Sequence, residues 1–281
     1  MKNRFNLLLY FLFGILLFWN CSSDDDSSYS NETSDKNYFP LVINNEWQYE
    51  NKQTSEGETE EASETLNVED EQQDANGARF NLNSTADNGG LSFTSILANG
   101  EVFKNEQQLL LTGNFDIGLD QAEIPDFDID FEGLVVFDAD AINGSVLFAE
   151  DRNFDLPEFN NIALSVSLSI ESVSLGSLDE IEVNNQVYED VIASQFVISL
   201  GVEATVTVPP LPFPLTVDVI EFQEILIATN YFANEVGLVQ SETDLSIEFS
   251  DALNQIPDFN LDDIEVLIEQ DLIDYQVSLE N

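Results

Sequence analysis

One thiol and 55 carboxylates are the reactive side chains of this 281-residue chain, which has no histidine. The usual Ser-His and Cys-His nucleophile pairs and His-based zinc sites therefore cannot be assembled. Cys21 has no second cysteine to pair with inside the chain. Glycine-rich phosphate loops are missing too; Asn-Gly-Gly at 88–90 reads as a turn. Carboxylates are the catalytic groups that remain, and a paired-carboxylate glycoside hydrolase is the one enzyme class open to them. So many acids supply a pair at almost any separation, so a pair alone argues for nothing. The composition favours a chain that is not an enzyme.

The sharpest carboxylate pattern is DFDIDFEG at 126–133. If that stretch is extended, Asp126, Asp128, Asp130 and Glu132 lie on one face, with Phe127, Ile129 and Phe131 on the other. Like charges repeated along one face repel, and a cation relieves them. Calcium, which takes six to eight oxygen ligands, is the ion such a stretch would hold. Asp128, Asp130, Glu132 and Gly133 also match the first half of an EF-hand loop, but Ala139 stands where the closing glutamate belongs, so an EF-hand is rejected. A looser calcium site would draw on Asp138 and Asp140. The competing reading is a solvated acidic face over a phenylalanine-lined core.

The thiol sits at a different kind of junction. Lys2 and Arg4 precede LLLYFLFGILLFW at 7–19, and Cys21 follows. As a helix, thirteen residues span only ~20 Å, too short for a stable membrane span. A positive start and a short apolar run are the marks of a secretory signal peptide, but a cysteine stands where a small-x-small cleavage site would be. The segment resembles a bacterial lipoprotein signal, with Asn20 and Phe18 where a small residue and a leucine are usual. The resemblance implies that lipoprotein processing machinery acylates the Cys21 thiol and cuts before it. Ser22, Ser23, Asp24, Asp25 and Asp26 resemble the acidic tract behind the lipidated cysteine of Bacteroidota surface lipoproteins. In that group the tract directs sorting to the exterior face of the outer membrane, where the chain would be held by its lipid anchor.

Residues 22–36 are almost free of apolar side chains and read as a flexible acidic tether. The expected organisation is thus a signal peptide at 1–20, a lipidated tether at 21–36 and a single domain at 37–281. With 7 basic and 55 acidic residues the net charge is -48. Such a surface repels nucleic acid and anionic membranes, and suits salty water, divalent cations or basic partners.

The elements that must position these groups read as strands. Trp47 and Tyr49 alternate with Glu46 and Gln48 after Asn44-Asn45, residues that tolerate the left-handed backbone of tight turns. From 51 to 78 the chain is dominated by Glu, Gln, Thr and Ser, with strand alternation only in TLNVE at 65–69. Beyond it, alternating segments recur, among them ARFNLNST, LSFTSILA, EVFKNEQQLLLT, LVVFDADA, ALSVSLSIESVSL and VIASQFVISLGVEATVTV, each bounded by Gly, Asn, Asp or Pro. This spacing predicts an antiparallel meander, barrel or sandwich. VPPLPFPL at 208–215 belongs at a loop or sheet edge. IPDF at 124–127, LPEF at 156–159 and IPDF at 256–259 echo one another and predict a shared extended turn with a phenylalanine plugging the core. LDDIEVLIEQDLIDYQV at 261–277 fits a helix by its acids and leucines and a closing strand by its β-branched residues.

Three segments resemble motifs of β-rich Bacteroidota lipoproteins. These are YFPLVINNEWQY at 38–49, IEVNNQVYEDVI at 181–192 and YFANEVGLVQSE at 231–242. The resemblance implies one mainly β domain: a single antiparallel curved sheet, half-barrel or barrel-like, outside the cytoplasm and loosely similar to periplasmic carriers of lipid or lipoprotein. It implies no activity. The sequence as a whole predicts a surface-anchored lipoprotein that works as a binding or structural module of the cell envelope. A carrier holding a hydrophobic ligand on a concave Phe-, Leu- and Val-rich face is the alternative, with the carboxylate hydrolase behind it.

Overall fold

The computed structural model describes residues 36–74, 77–86, 91–105, 107–115, 127–159, 162–206, 214–251 and 261–279. Cys21, the tract Ser22, Ser23, Asp24, Asp25 and Asp26, Asp126 and most of VPPLPFPL lie outside them.

The strands are β1 (Glu46–Ser55), β2 (Glu58–Asp74), β3 (Gly77–Ser84), β4 (Gly100–Asn105), β5 (Gln108–Phe115), β6 (Ile129–Asp138), β7 (Val146–Phe159), β8 (Ile162–Val183), β9 (Gln186–Val206), β10 (Leu215–Ala233), β11 (Gly237–Ile247) and β12 (Ile264–Gln276), with one short helix, α1 (Phe93–Ala98). They form one 12-stranded sheet in the order β6-β5-β4-β3-β2-β1-β12-β11-β10-β9-β8-β7. Around that order each strand pairs with its neighbour in sequence, save β6 with β7, and β1 pairs with β12. The meander is therefore an up-and-down barrel opened at one place, between β6 and β7. There β6 packs against β8 and β9: Ser172 Oγ of β8 donates to Val135 O at 2.6 Å, and Phe131 meets Phe196 of β9 edge-on at 5.6 Å. The expected mainly β, curved antiparallel sheet is what the chain forms.

Local chemistry explains the turns. Asn44 has φ 70°, and Asn45 N bonds Val42 O at 2.9 Å, but the turn leads into β1 without a strand before it. Asn184 and Asn185, at φ 52° and 65°, make the two-residue link of the β8–β9 hairpin, the geometry in which two left-handed residues match the twist of the strands. Glu56 and Gly57 do the same between β1 and β2.

Four expectations change. LSFTSILA holds a helix, not a strand: the Ser92 side chain caps it by accepting from Ser95 N at 3.3 Å, and Phe93, Ile96 and Leu97 are buried. EVFKNEQQLLLT is divided into β4 and β5. The polar stretch from 51 to 64, which lacks alternation, is strand throughout apart from the turn, because the backbone ladders of β1 and β2 hold it where side chains do not. LPEF lies within β7, where Pro157 is tolerated because that strand pairs on one side only. The open question at the C-terminus resolves to strand: β12 is flanked by β1 and β11, with Ile268, Gln270 and Leu272 turned inward.

The three motif segments come together in the core. Phe39 stacks on Trp47 at 5.0 Å, and Phe232 meets Phe39 edge-on at 6.1 Å. Trp47 Nε1 donates to Val236 O at 2.6 Å and Tyr49 OH to Leu238 O at 3.0 Å. Lys36 and Tyr38 both reach Asp190 Oδ1, at 2.6 and 3.0 Å, which fixes the start of the domain to β9. These motif residues pack and pin the barrel.

Candidate functional site

Beside the opening between β6 and β7 lies a broad, shallow groove of about 930 Å³, walled by parts of β3, β4, β5, β6 and β7. Its carboxylates are Glu101, Asp130, Glu132 and Glu150, and Arg152 is its cation. Alternation in β6 puts Asp130 and Glu132 there. Ile129 and Phe131 are buried while Asp128, Asp130 and Glu132 are exposed, the two-faced strand that the sequence predicts.

Arg152 holds Glu150 with both ends of its guanidinium, Nε to Oε1 at 2.7 Å and Nη2 to Oε2 at 2.6 Å. That pairing lowers the Glu150 pKa from its ordinary value and raises that of Arg152, to which the charge of Asp130 adds. Arg79 Nη1 donates to Glu101 Oε2 at 3.2 Å. A general acid for glycoside cleavage needs the opposite shift, a carboxyl pushed up by burial or by another carboxylate. The groove is thus a polar, solvent-open surface with an ion-paired wall.

Of the candidate calcium ligands, Asp130 and Glu132 line this groove, Asp128 is exposed just before β6, and Asp126 lies outside the described residues. Asp138 and Asp140 sit at the far end of β6. Eight residues of strand put roughly 26 Å between Asp130 and Asp138, and Asp138 is occupied there, accepting from Asp140 N at 2.9 Å and from Gln108 Nε2 at 2.8 Å. Asp138 and Asp140 therefore stand apart from Asp130 and Glu132. Among the described residues no three His, Cys, Asp or Glu side chains come together as a metal site.

The sequence reading missed Glu64, the one carboxylate that is buried among the described residues, at 1% exposure. It stands where β1, β2, β3, α1 and β12 converge. Its Oε1 accepts from Ser84 Oγ at 2.5 Å and Thr94 Oγ1 at 2.6 Å, and its Oε2 from Asn51 Nδ2 at 2.5 Å and Gln270 Nε2 at 2.9 Å. The available signal was the alternation of Leu66 and Val68, which carried one step back puts Glu64 on the inner face. Both oxygens are taken up by donors from four elements, so the group fastens the helix to the sheet.

No protein family matches the chain, and no curated protein does. Among solved structures it is similar to a candidate lipoprotein from Parabacteroides distasonis ATCC 8503, with 9% identity, a TM-score of 0.35 and coverage of 86% of this chain and 99% of that one. It is also similar to a candidate exported protein with a YmcC-like fold from Bacteroides fragilis NCTC 9343, with 14% identity, a TM-score of 0.37 and coverage of 85% and 98%.

Proposed function

We propose that the chain is an exported lipoprotein, anchored through acylated Cys21, whose barrel serves the cell envelope as a non-enzymatic binding or structural module. The observation that carries this reading is the lone cysteine directly behind a positively started apolar run of thirteen residues. Lys36, fifteen residues further on, is tied to Asp190, so the tether enters the domain at a fixed point. Fully extended it spans at most ~50–54 Å, which keeps the barrel close to the bilayer that holds the lipid. Ser22, Ser23, Asp24, Asp25 and Asp26 are the proposed sorting signal to the exterior.

The character of the groove supports binding over catalysis, since Glu150 is held by Arg152. It also favours a polar partner over a hydrophobic ligand. The inner face supports the same choice: Phe39, Trp47, Tyr49, Phe93 and Phe115 pack it with next to no exposure.

Metabolic labelling with a radioactive fatty acid tests the reading. The chain takes up label in the membrane fraction, and Cys21→Ser abolishes both the label and the membrane association. A variant with Asp24, Asp25 and Asp26 changed to Ala keeps its label but loses cleavage by protease added to intact cells. Undiminished labelling of Cys21→Ser would defeat the proposal.

A further inference from the structure

A transverse row of polar side chains crosses the barrel's inner face. Ser174 of β8 pairs with Ser194 of β9, Ser194 with Asn230 of β10, Asn230 with Ser241 of β11, Ser241 with Gln270 of β12 and Gln270 with Asn51 of β1. Ser174, Ser194, Asn230, Ser241 and Gln270 are all buried, in a core that is mostly aliphatic and aromatic. Directly paired residues in a sheet point to the same face with Cβ atoms ~4.5–5.5 Å apart, so the row is continuous from strand to strand.

Hydrogen bonds satisfy both ends of the row. On one side Gln270 Nε2 reaches Asn51 Oδ1 and Glu64 Oε2, each at 2.9 Å. On the other, Ser174 Oγ donates to Ala141 O at 3.4 Å and accepts from Gly176 N at 3.1 Å. Ser241 Oγ donates to Asn230 Oδ1 at 2.8 Å. Between Ser174 and Asn230 the line breaks. Ser194 Oγ, in a residue only 1% exposed, has no hydrogen-bond partner. The Asn230 amide nitrogen beside it has one stretched contact, 3.5 Å to Ala228 O. An orphaned hydroxyl in a protein interior is costly, and native cores rarely keep one.

We infer that an ordered water molecule is bound inside the barrel between Ser194 and Asn230, accepting from the Asn230 amide and bonded to the Ser194 hydroxyl. The chemistry is complementary. Asn230 offers N–H donors, and Ser194 offers a rotatable O–H with two lone pairs. Buried waters hold two to four polar partners, and these two side chains are direct cross-strand neighbours. Ser172, Thr243 and Ala228 are small buried side chains beside the row, while Ile192 and Phe196 flank Ser194 along its own strand.

The sign of one substitution decides the matter. If Ser194 is a true orphan, Ser194→Ala removes a buried, unpaired hydroxyl and leaves the melting temperature unchanged or higher. If the water is there, the same change strips it of a partner and lowers the melting temperature by about 2–4 °C, the shift expected of one lost hydrogen bond in a domain of this size. A crystal structure of the full chain gives the second measurement. Solvent density within hydrogen-bonding distance of both Ser194 Oγ and Asn230 Nδ2 is the expected result. A direct Ser194–Asn230 bond, density for a larger molecule, or an unchanged or raised melting temperature in Ser194→Ala overturns the inference.

Discussion

At the scale of single residues, Glu64 shows how a charge is kept inside a barrel. Its two oxygens face hydroxyl and amide donors from β1, β3, α1 and β12 and no cation. A carboxylate only accepts, so each of those donors is matched to it. Glu64→Gln conserves the shape yet removes the charge, and its NH2 group either opposes the amides of Asn51 and Gln270 or makes the hydroxyls of Ser84 and Thr94 turn to accept it and give up their own acceptor. Hydrogen bonds to charged groups contribute about 1.5–3 kcal/mol each, and losing a partner inside costs the desolvation as well. The expected outcome is an unfolding free energy lowered by about 2–4 kcal/mol in urea titration. A change within about 0.5 kcal/mol, the range of ordinary surface substitutions, would show that the network adds nothing.

At the scale of elements, Gly237 opens β11 at φ 114°, and a Cβ there would stand 2.9 Å from Trp47 Nε1 and 3.2 Å from Phe39 Cδ2. Gly57, in the β1–β2 turn, also has positive φ, 80°, but its Cβ would meet nothing within 4 Å. Gly57→Ala should therefore cost only the left-handed backbone term, about 1–2 kcal/mol. Gly237→Ala adds the displacement of a packed Trp-Phe pair, about 1–3 kcal/mol more. Equal losses for the two variants by denaturant titration would mean that the corner can yield. The same corner shows what the sequence discloses and what it hides. Trp47 and Tyr49 are legible as the buried face of a strand because the period of two is local, and so are the acid and phenylalanine faces of β6. The long polar ends of β1 and β2 are not, since their strand state comes from backbone pairing with neighbours. Nor is α1, where six residues are too few to display a helical period and the burial of Phe93, Ile96 and Leu97 depends on strands distant in sequence. The groove was half legible: Asp130 and Glu132 stand out in the sequence, whereas Glu101, Glu150 and Arg152 reach it only through the curl of the sheet.

At the scale of the whole molecule, the chain carries a net charge of -48, and the sheet turns polar faces outward. Self-repulsion of this kind opposes compaction, and its reach is set by salt: the screening length is ~30 Å at 0.01 M, which lets charges interact across the barrel, and ~8 Å at 0.15 M, which confines them to neighbours. The melting temperature should accordingly climb by several degrees between low and physiological sodium chloride and then level off. A flat profile would mean that the acids are already neutralised by partners within the fold. Because the effect belongs to the total charge, an Asp128→Asn, Asp130→Asn variant should keep nearly all of it. Calcium at matched ionic strength separates the local question from the global one. An ion held by the 126–132 stretch adds an increment over sodium that this variant loses, whereas diffuse screening gives wild type and variant the same calcium response. Among the described residues of that stretch the groove takes the carboxylates of Asp130 and Glu132, and Glu150 is occupied by Arg152, so diffuse screening is the expected result.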